Sequence, residues 1–484
     1  MHLYNTLSRS VEPFTPPSDG IVRMYSCGPT VYDVAHLGNM RAFTFADVLQ
    51  RVLRAVGGFE VRWVMNVTDI DDKTIRDSAV GSAKWRQEMG VQTDDARANL
   101  RAFTTVFENE FKRDLESLGI RLDHFAAMPR ATDYIVEMQE LIRDIVRSGY
   151  GYASEGSVYF NVRSYSKAFA YGRLFTIDAE NFREGVRIDA DEYDRESVSD
   201  FVLWKGRKDA EPYWDFELDG ESLPGRPGWH IECSAMSKEL LGPLPFDIHT
   251  GGVDLRFPHH EDELAQCCAG YHVAEQSRFW MHNEFLEVEG KKMSKSLGNF
   301  YTIRDLMSMG YEAIDIRYAL MAAHYRSVLN FTFENLRAAS TSRQRIQNLI
   351  WDLIDIVGTA DAGGVHGSMP EEVAAAFADD LNVPQALARM YEYCARNADA
   401  RTDVTKAGEV LGALRHVNEV LAVWTFSPRP AIDVPDAVRS LAEERWAARS
   451  AKNWSEADRL RNELTALGWS MKDGKDSYTI EPLS

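Results

Sequence analysis

Cysteine is scarce in this chain: five residues among 484, namely Cys27, Cys233, Cys267, Cys268 and Cys394. An odd number spread over so long a chain does not make a disulfide scaffold, so metal binding or packing is the natural use. Positive charge is short as well. Lys and Arg number 54 against 74 Asp and Glu, which leaves a net charge of −20. That argues against a generic nucleic-acid binder, because phosphate contacts need Lys and Arg. A local patch is still compatible with RNA, and the acidic body would then repel wrong sites and make binding salt-sensitive. Long apolar runs are missing too: none reaches the roughly 18 residues of a membrane span. The opening MHLYNTLSRSVEPFTPPSDG holds no apolar signal core. A cytoplasmic protein with no membrane partner is expected.

What is present suits globular structure. Hydrophobic residues at 45% and charged residues at 26% allow a sizeable core, and the length suggests about two to four domains. The run IVRMYSCG from Ile21 reads as a buried strand that turns at Gly28-Pro29. A helix follows with Val48, Leu49, Val52 and Leu53 on one face. In EVRWVMNVTDID the side chains of Val61, Trp63, Met65 and Val67 alternate, a second strand. Strand, helix and strand make a βαβ unit, and ligands sit at the carboxyl ends of such strands, where Cys27 and Thr68 fall. Asp94 to Tyr150 reads as helical and Gly149 to Val162 as a hairpin. RIDADEYDRESVSD from Arg187 reads as a polar surface loop, and FVLWKG returns to strand. Residues 119–205 therefore look like an insertion splitting one α/β domain. After KKMSKSLGNF the pattern is helical to Trp424, with a loop at DAGGVHGSMP from Asp361. Pro428, Pro430 and Pro435 mark a linker before a last small module of helix and short strands.

Three constellations carry chemistry. HLGN, His36 to Asn39, falls at a strand–loop–helix junction. Gly38 permits close approach of a nucleotide, and His36 can donate to phosphate. A surface turn is the plain alternative for so short a motif. Lys292-Met293-Ser294-Lys295-Ser296 lies between Gly290 and Gly298. Such lysines can neutralise a triphosphate as charge moves onto pyrophosphate, although a lone basic loop is usually solvated surface. HLGN followed by KMSKS on one chain is far more specific than either. The third is a possible metal site. His259 and Glu263 stand four apart, on one face if helical, and Cys27 and Cys233 complete a Cys₂HisGlu set of tetrahedral capacity. Spacing alone leaves open two buried structural thiols with a surface His and Glu. Cys267 and Cys268 follow an apolar helical stripe and read as packing.

Together these segments resemble the cysteinyl-tRNA synthetase family of class I synthetases, over nearly the whole chain. The carrying residues are YSCGPTVYDVAHLGNMR, NVTDIDDK, DFVLWK, PGWHIECSAM, FDIHTGGVDLRFPHHEDELAQ and EGKKMSKSLGNF. The resemblance implies an α/β fold: a Rossmann-like catalytic domain with an insertion, a helical bundle, and a small mixed C-terminal module. The expected division is 1–118 and 206–275 for the catalytic halves, 119–205 for the insertion, 276–340 for a stem-contact region, 341–427 for the tRNA-binding bundle and 434–484 for anticodon recognition. It implies Cys27, Cys233, His259 and Glu263 as ligands of one Zn²⁺. His36, Asn39, Lys292 and Lys295 become catalytic. Gly28, Thr30, Gly38, Thr68, Trp229, His249, Gly252 and Asp254, again with Lys295, become substrate and ATP contacts. One departure is Thr250, where the family usually has glycine. AKNWSEADRLRNEL matches an anticodon-contacting helix, which implicates Arg449, Trp454, Asp458 and Arg461. Residues 434–484 hold eight Lys/Arg against nine Asp/Glu, so this tail repels RNA far less than the body does. Trp454 offers a stacking face, or fills a core on an amphipathic helix.

The implied partners are tRNA(Cys), L-cysteine and ATP with Mg²⁺, and a monomer is expected. Cysteine differs from serine by one atom, and size selection alone is worth only about 1–3 kcal/mol. A zinc ion that takes the substrate thiolate as a ligand selects on softness instead, and no editing domain is needed. Two rivals remain at this point. A ligase joining cysteine to an aminosugar would share the catalytic half but lack the tail. A non-catalytic tRNA-binding paralogue would not need HLGN, KMSKS and the four metal positions intact.

Overall fold

The computed structural model describes the chain except residues 81–86, 88–89, 92, 176–181, 189–197, 295–296, 359–366, 431–433, 475–476 and 483–484. The polar stretch from Arg187 and most of the loop from Asp361 lie largely outside the described residues, as does Lys295. Two compact units are present, Met1–Phe426 and Ser427–Ser484.

The first unit is organised by a five-stranded sheet. Its order is Ser277–Asn283, Phe246–Gly252, Ile21–Ser26, Glu60–Met65 and Phe125–Ala127, and every neighbour pair is parallel. Numbered along the chain this is 3-2-1-4-5, the order of a doubly wound sheet, which reverses between Ile21–Ser26 and Phe246–Gly252. Met24, Tyr25, Trp63, Ile248 and Trp280 are fully buried, as strands covered on both faces require. The helix Leu37–Ala55 crosses between the first two strands. It starts on a capping box in which His36 Nδ1 accepts from the Asn39 backbone N–H and the Asn39 side chain accepts from the His36 N–H. Its body buries Leu49, Val52 and Leu53.

The insertion carries its own sheet. Gly151–Ser154 and Ser157–Phe160 form the expected hairpin, joined by Val198–Gly206, Phe182–Ile188 and Gly225–Pro227. The sheets place two strands differently from the division expected for 119–205. Phe125–Ala127 completes the central sheet, and Gly225–Pro227 belongs to the insertion's sheet. Strand pairing across distant segments sets these edges, and local pattern carries no record of it.

Beyond the small sheet of Leu286–Val288, Lys291–Lys292 and Leu329–Phe331 the unit is helical, with long helices at Phe333–Val357, Val383–Arg396 and Val404–Leu421. Asp47 joins this part to the Leu37–Ala55 helix. Its carboxylate accepts from Arg51 Nε at 2.8 Å and Arg317 Nη2 at 2.6 Å. Arg317 also donates to the Leu421 and Leu118 carbonyls, and Arg51 to those of Glu419 and Gly119.

The second unit packs helices Asp436–Ser450 and Trp454–Ala466 on an antiparallel hairpin, Trp469–Asp473 with Tyr478–Pro482. Val438, Ala442 and Leu464 form its core. No helix of the described residues is long and apolar enough to cross a membrane.

Candidate metal and nucleotide site

The sheet's reversal point supplies the site. Cys27 follows directly on the strand Ile21–Ser26, and its backbone N–H donates to the Thr250 carbonyl at 3.3 Å. Gly28 is obligatory there: a Cβ would lie 1.6 Å from the Asn66 carbonyl oxygen, so the chain can reach its neighbour only without a side chain. Thr30 and Thr68 form an isolated parallel bridge beyond the ends of the strands Ile21–Ser26 and Glu60–Met65.

Four side chains from three segments converge here. Cys27 and Cys233 Sγ are 3.7 Å apart, Cys27 Sγ lies 3.5 Å from Glu263 Oε1, and His259 Nε2 lies 3.0 Å from the same oxygen. All four residues are buried, and their donor atoms lie within 4.8 Å of one another. A tetrahedral ion with Zn–S bonds of about 2.3 Å would set its sulfurs about 3.8 Å apart, so the thiol pair has the required separation. His259 Nε2 makes no aligned hydrogen bond although Glu263 is near, as suits a nitrogen aimed at a shared ion. The electrostatics agree. Burial alone would raise Cys233, but the hydrogen bond from Cys27 and the adjacent His259 imidazole bring its thiol down to about 6. Burial would also raise Glu263, yet His249 and His259 hold it well below the usual carboxylate range. Burial and the neighbouring Cys233 push the Cys27 thiol well up, so without an ion it is the proton donor of the pair; two sulfurs that an ion would bind as thiolates, an imidazole and a carboxylate match zinc's preferences.

His259 lies in a short π-helical segment, Arg256–His260, kinked at Phe257, that runs directly into the helix Glu261–Tyr271, so it reaches Glu263 four residues on as their spacing suggested. A second grouping shares Cys27 and Glu263 and adds His249 and His260. His260 Nε2 is 3.2 Å from Cys27 Sγ, while its Nδ1 is 2.8 Å from His282 Nε2. His249 Nε2 is 2.9 Å from Glu263 Oε2, and its ring stacks on Trp280 at 4.5 Å. Thus His249, expected at the nucleotide, has a fully buried imidazole within the Cys/His/Glu cluster. Cys267 and Cys268 are buried outside either grouping, as packing predicts.

Trp229 is half-buried and stacks on His259 at 4.2 Å. Thr68 Oγ1 donates to Glu232 Oε2 at 2.7 Å. Thr250 Oγ1 lies 2.7 Å from Ser26 Oγ, which also accepts from Trp63 Nε1, so the departure from glycine is absorbed inside the sheet. A Cβ on Gly252 would meet Asp254 Oδ1 at 2.3 Å, so the exposed Asp254 carboxylate sits directly against this glycine.

The two signature segments meet. A Cβ on Gly38 would approach the His36 ring at 3.0 Å and Met293 Cε at 3.4 Å. Leu37 N–H donates to the Tyr301 carbonyl, and the His36 ring packs edge-on against Phe300 at 5.2 Å. Lys292 is exposed on its short strand. Asn39 spends its side-chain oxygen on the cap.

Sequence reasoning passed over Glu232, His230, Asp262, His260 and His282, all buried beside the cluster. The available signal was a run of ionisable residues inside an otherwise apolar or small stretch, GWHIECSAM.

In the C-terminal unit Trp454 opens its helix with 59% exposure, so it does not fill the core. Asp458 and Arg461 are exposed beside it, and Arg449 pairs with Asp473.

Comparison with known proteins agrees with this geometry. Residues 13–341 match the family described as tRNA synthetases class I (C) catalytic domain, and residues 432–479 match the cysteinyl-tRNA ligase anticodon binding domain. A cysteine–tRNA ligase of Chlamydia muridarum is 40% identical over 100% of both chains. One of Solibacter usitatus is 40% identical over 98% of each. Among solved structures, methionyl-tRNA synthetase of Mycobacterium tuberculosis with methionyl-adenylate is similar in fold, with a TM-score of 0.54 at 14% identity over 83% of this chain and 90% of that one. The chain therefore belongs to the class I tRNA synthetase family, in its cysteine–tRNA ligase branch.

Proposed function

We propose that this protein activates L-cysteine with ATP and Mg²⁺ and transfers it to tRNA(Cys), with a zinc ion held by Cys27, Cys233, His259 and Glu263. The convergence of two thiols, an imidazole and a carboxylate at the sheet's reversal point carries the reading. A bound zinc supplies a soft Lewis acid that favours a thiolate over a hydroxyl. Trp229 and the Thr68–Glu232 pair line the amino-acid side, and Glu232 is the buried carboxylate suited to a substrate ammonium. Gly28, Thr30, Gly38, Gly252 and Asp254 border the nucleotide, with His249 acting from behind the cluster. His36 and Lys292, with Lys295 on the same loop, stabilise charge on the phosphates as the cysteine carboxylate attacks the α-phosphorus and pyrophosphate leaves. Asn39 fixes the His36 backbone by its cap. The tRNA's terminal ribose hydroxyl then takes the acyl group. Arg449, Trp454, Asp458 and Arg461 present the anticodon face.

The test pairs metal content with amino-acid activation. Wild type should hold one zinc per chain and drive ATP–pyrophosphate exchange with cysteine far above serine. Cys233→Ala should lose the metal and most of the exchange. Retained metal with full exchange, or serine adenylated as readily as cysteine, refutes the reading.

A further inference from the structure

We propose that Arg41 is a positioning residue for amino-acid activation: its guanidinium ties the second turn of the helix Leu37–Ala55 to the two segments that enter the small sheet, and so sets where Lys292 stands relative to His36. This rests on the reading above that His36 and Lys292 act on the phosphates, and adds a residue that it does not use.

Arg41 is buried, and the partners of its guanidinium among the described residues are main-chain carbonyls. Nη1 donates to Glu284, at 2.9 Å, and to Phe285. Nη2 donates to His324, at 3.4 Å, and to Ser327. Arg51 and Arg317 differ, since they share the Asp47 carboxylate. Burial pushes the Arg41 guanidinium down to about 10 against the pull of Glu284, so it stays charged at neutral pH. A planar fork among carbonyl dipoles supplies direction: it fixes the angle between the groups that it holds.

The two arms of the fork hold different segments. Glu284 and Phe285 join the central strand Ser277–Asn283 to Leu286–Val288, and His324 to Ser327 precede Leu329–Phe331. Those two short strands pair in parallel, and Lys291–Lys292 folds back on the first of them, with Lys292 opposite Glu287. The place of Lys292 thus follows the entry point of these strands, and Arg41 holds that point to the helix whose cap is His36. Phe45, four residues on from Arg41 and on the same face, stacks on Tyr325 at 4.6 Å, so the helix grips the 324–327 segment twice. Leu286, Val288, Leu329 and Phe331 also pack into the core that holds Leu37 and Met40, but apolar contact is non-directional, and the fork supplies the register.

The experiment sets cysteine-dependent ATP–pyrophosphate exchange beside urea unfolding in wild type, Arg41→Lys and Asp47→Asn. Lysine keeps the charge but offers one donor centre, which cannot serve both segments. Its kcat should fall about 10–100-fold, the usual consequence of misplacing a reacting group by about 1 Å, while KM for cysteine stays within about twofold. Asp47→Asn loosens the same helix through other partners, so it should lower the unfolding midpoint and leave the kcat of the folded enzyme within about twofold. Phe45→Leu removes the ring stack on Tyr325 and should lower kcat about 2- to 10-fold, the worth of an aromatic pair; it decides the matter if Arg41→Lys does not fold. Wild-type kcat in the folded variant, an equal loss in Asp47→Asn, or a loss carried by KM for cysteine overturns the role of Arg41 and leaves the activation reading standing. Wild type without cysteine-dependent exchange overturns both.

Discussion

Replacing Asp47 by alanine should destabilise the Met1–Phe426 unit by about 3–5 kcal/mol, the usual cost of stranding a buried charge. One carboxylate serves two guanidinium groups here. Arg317 is fully buried, and apart from Asp47 its hydrogen-bond partners among the described residues are the Leu118 and Leu421 carbonyls. With the carboxylate gone no counter-ion remains within the cluster of Arg51 and Arg317. Coulomb attraction at about 4 Å and an effective dielectric of about 20 gives roughly 4 kcal/mol per pair, the same range. Asp47→Asn strands the same charge but keeps an acceptor oxygen, so its cost should fall below that of alanine by about 0.5–1.5 kcal/mol, the worth of one hydrogen bond. The pH profile has a definite sign. Burial would raise the Asp47 carboxyl, but Arg317, His124 and Arg51 hold it well below its ordinary 3.8. A depressed native value means the stabilisation is complete above about pH 4 and is lost as pH falls through the folded-state value. Wild type should therefore lose stability faster than Asp47→Asn on acidification below that point. Urea unfolding followed by fluorescence of the buried Trp63, Trp204 and Trp280 reads both effects. A cost under about 1 kcal/mol for Asp47→Ala, or parallel acid profiles for wild type and Asp47→Asn, would refute the reasoning.

Two further outcomes are expected. Thr250→Gly removes the hydroxyl that meets Ser26 and loosens a strand, so it should cost about 1–2 kcal/mol. The KM for ATP in pyrophosphate exchange should stay within about twofold, since the hydroxyl points into the sheet; a larger change would place this residue at the nucleotide. Trp454→Ala should leave stability and tRNA-free pyrophosphate exchange unchanged, because the ring is exposed and lies in the separate C-terminal unit. Its KM for tRNA should rise about 5- to 100-fold, the worth of one base stacked on an aromatic ring; an unchanged KM would leave Trp454 as ordinary surface.

The sequence alone determined the strands at Ile21 and Glu60, the strand–loop–helix junction at His36, the helical run to Trp424, and a set of two cysteines, a histidine and a glutamate that the fold brings together. Each is a local or motif-level property: side-chain period, an apolar run, or a chemical type at a spacing. Only the tertiary structure decided that Phe125–Ala127 joins the central sheet, that Thr250 turns toward Ser26, and that His249 belongs with Glu263. It also decided that His230, Glu232 and Asp262 are buried instead of solvated. The physical reason is common to all of these. Whether a charged or polar side chain can be enclosed depends on partners supplied by distant segments, such as Tyr171 for Asp262 or Thr68 for Glu232, and a one-dimensional pattern carries no distance between them.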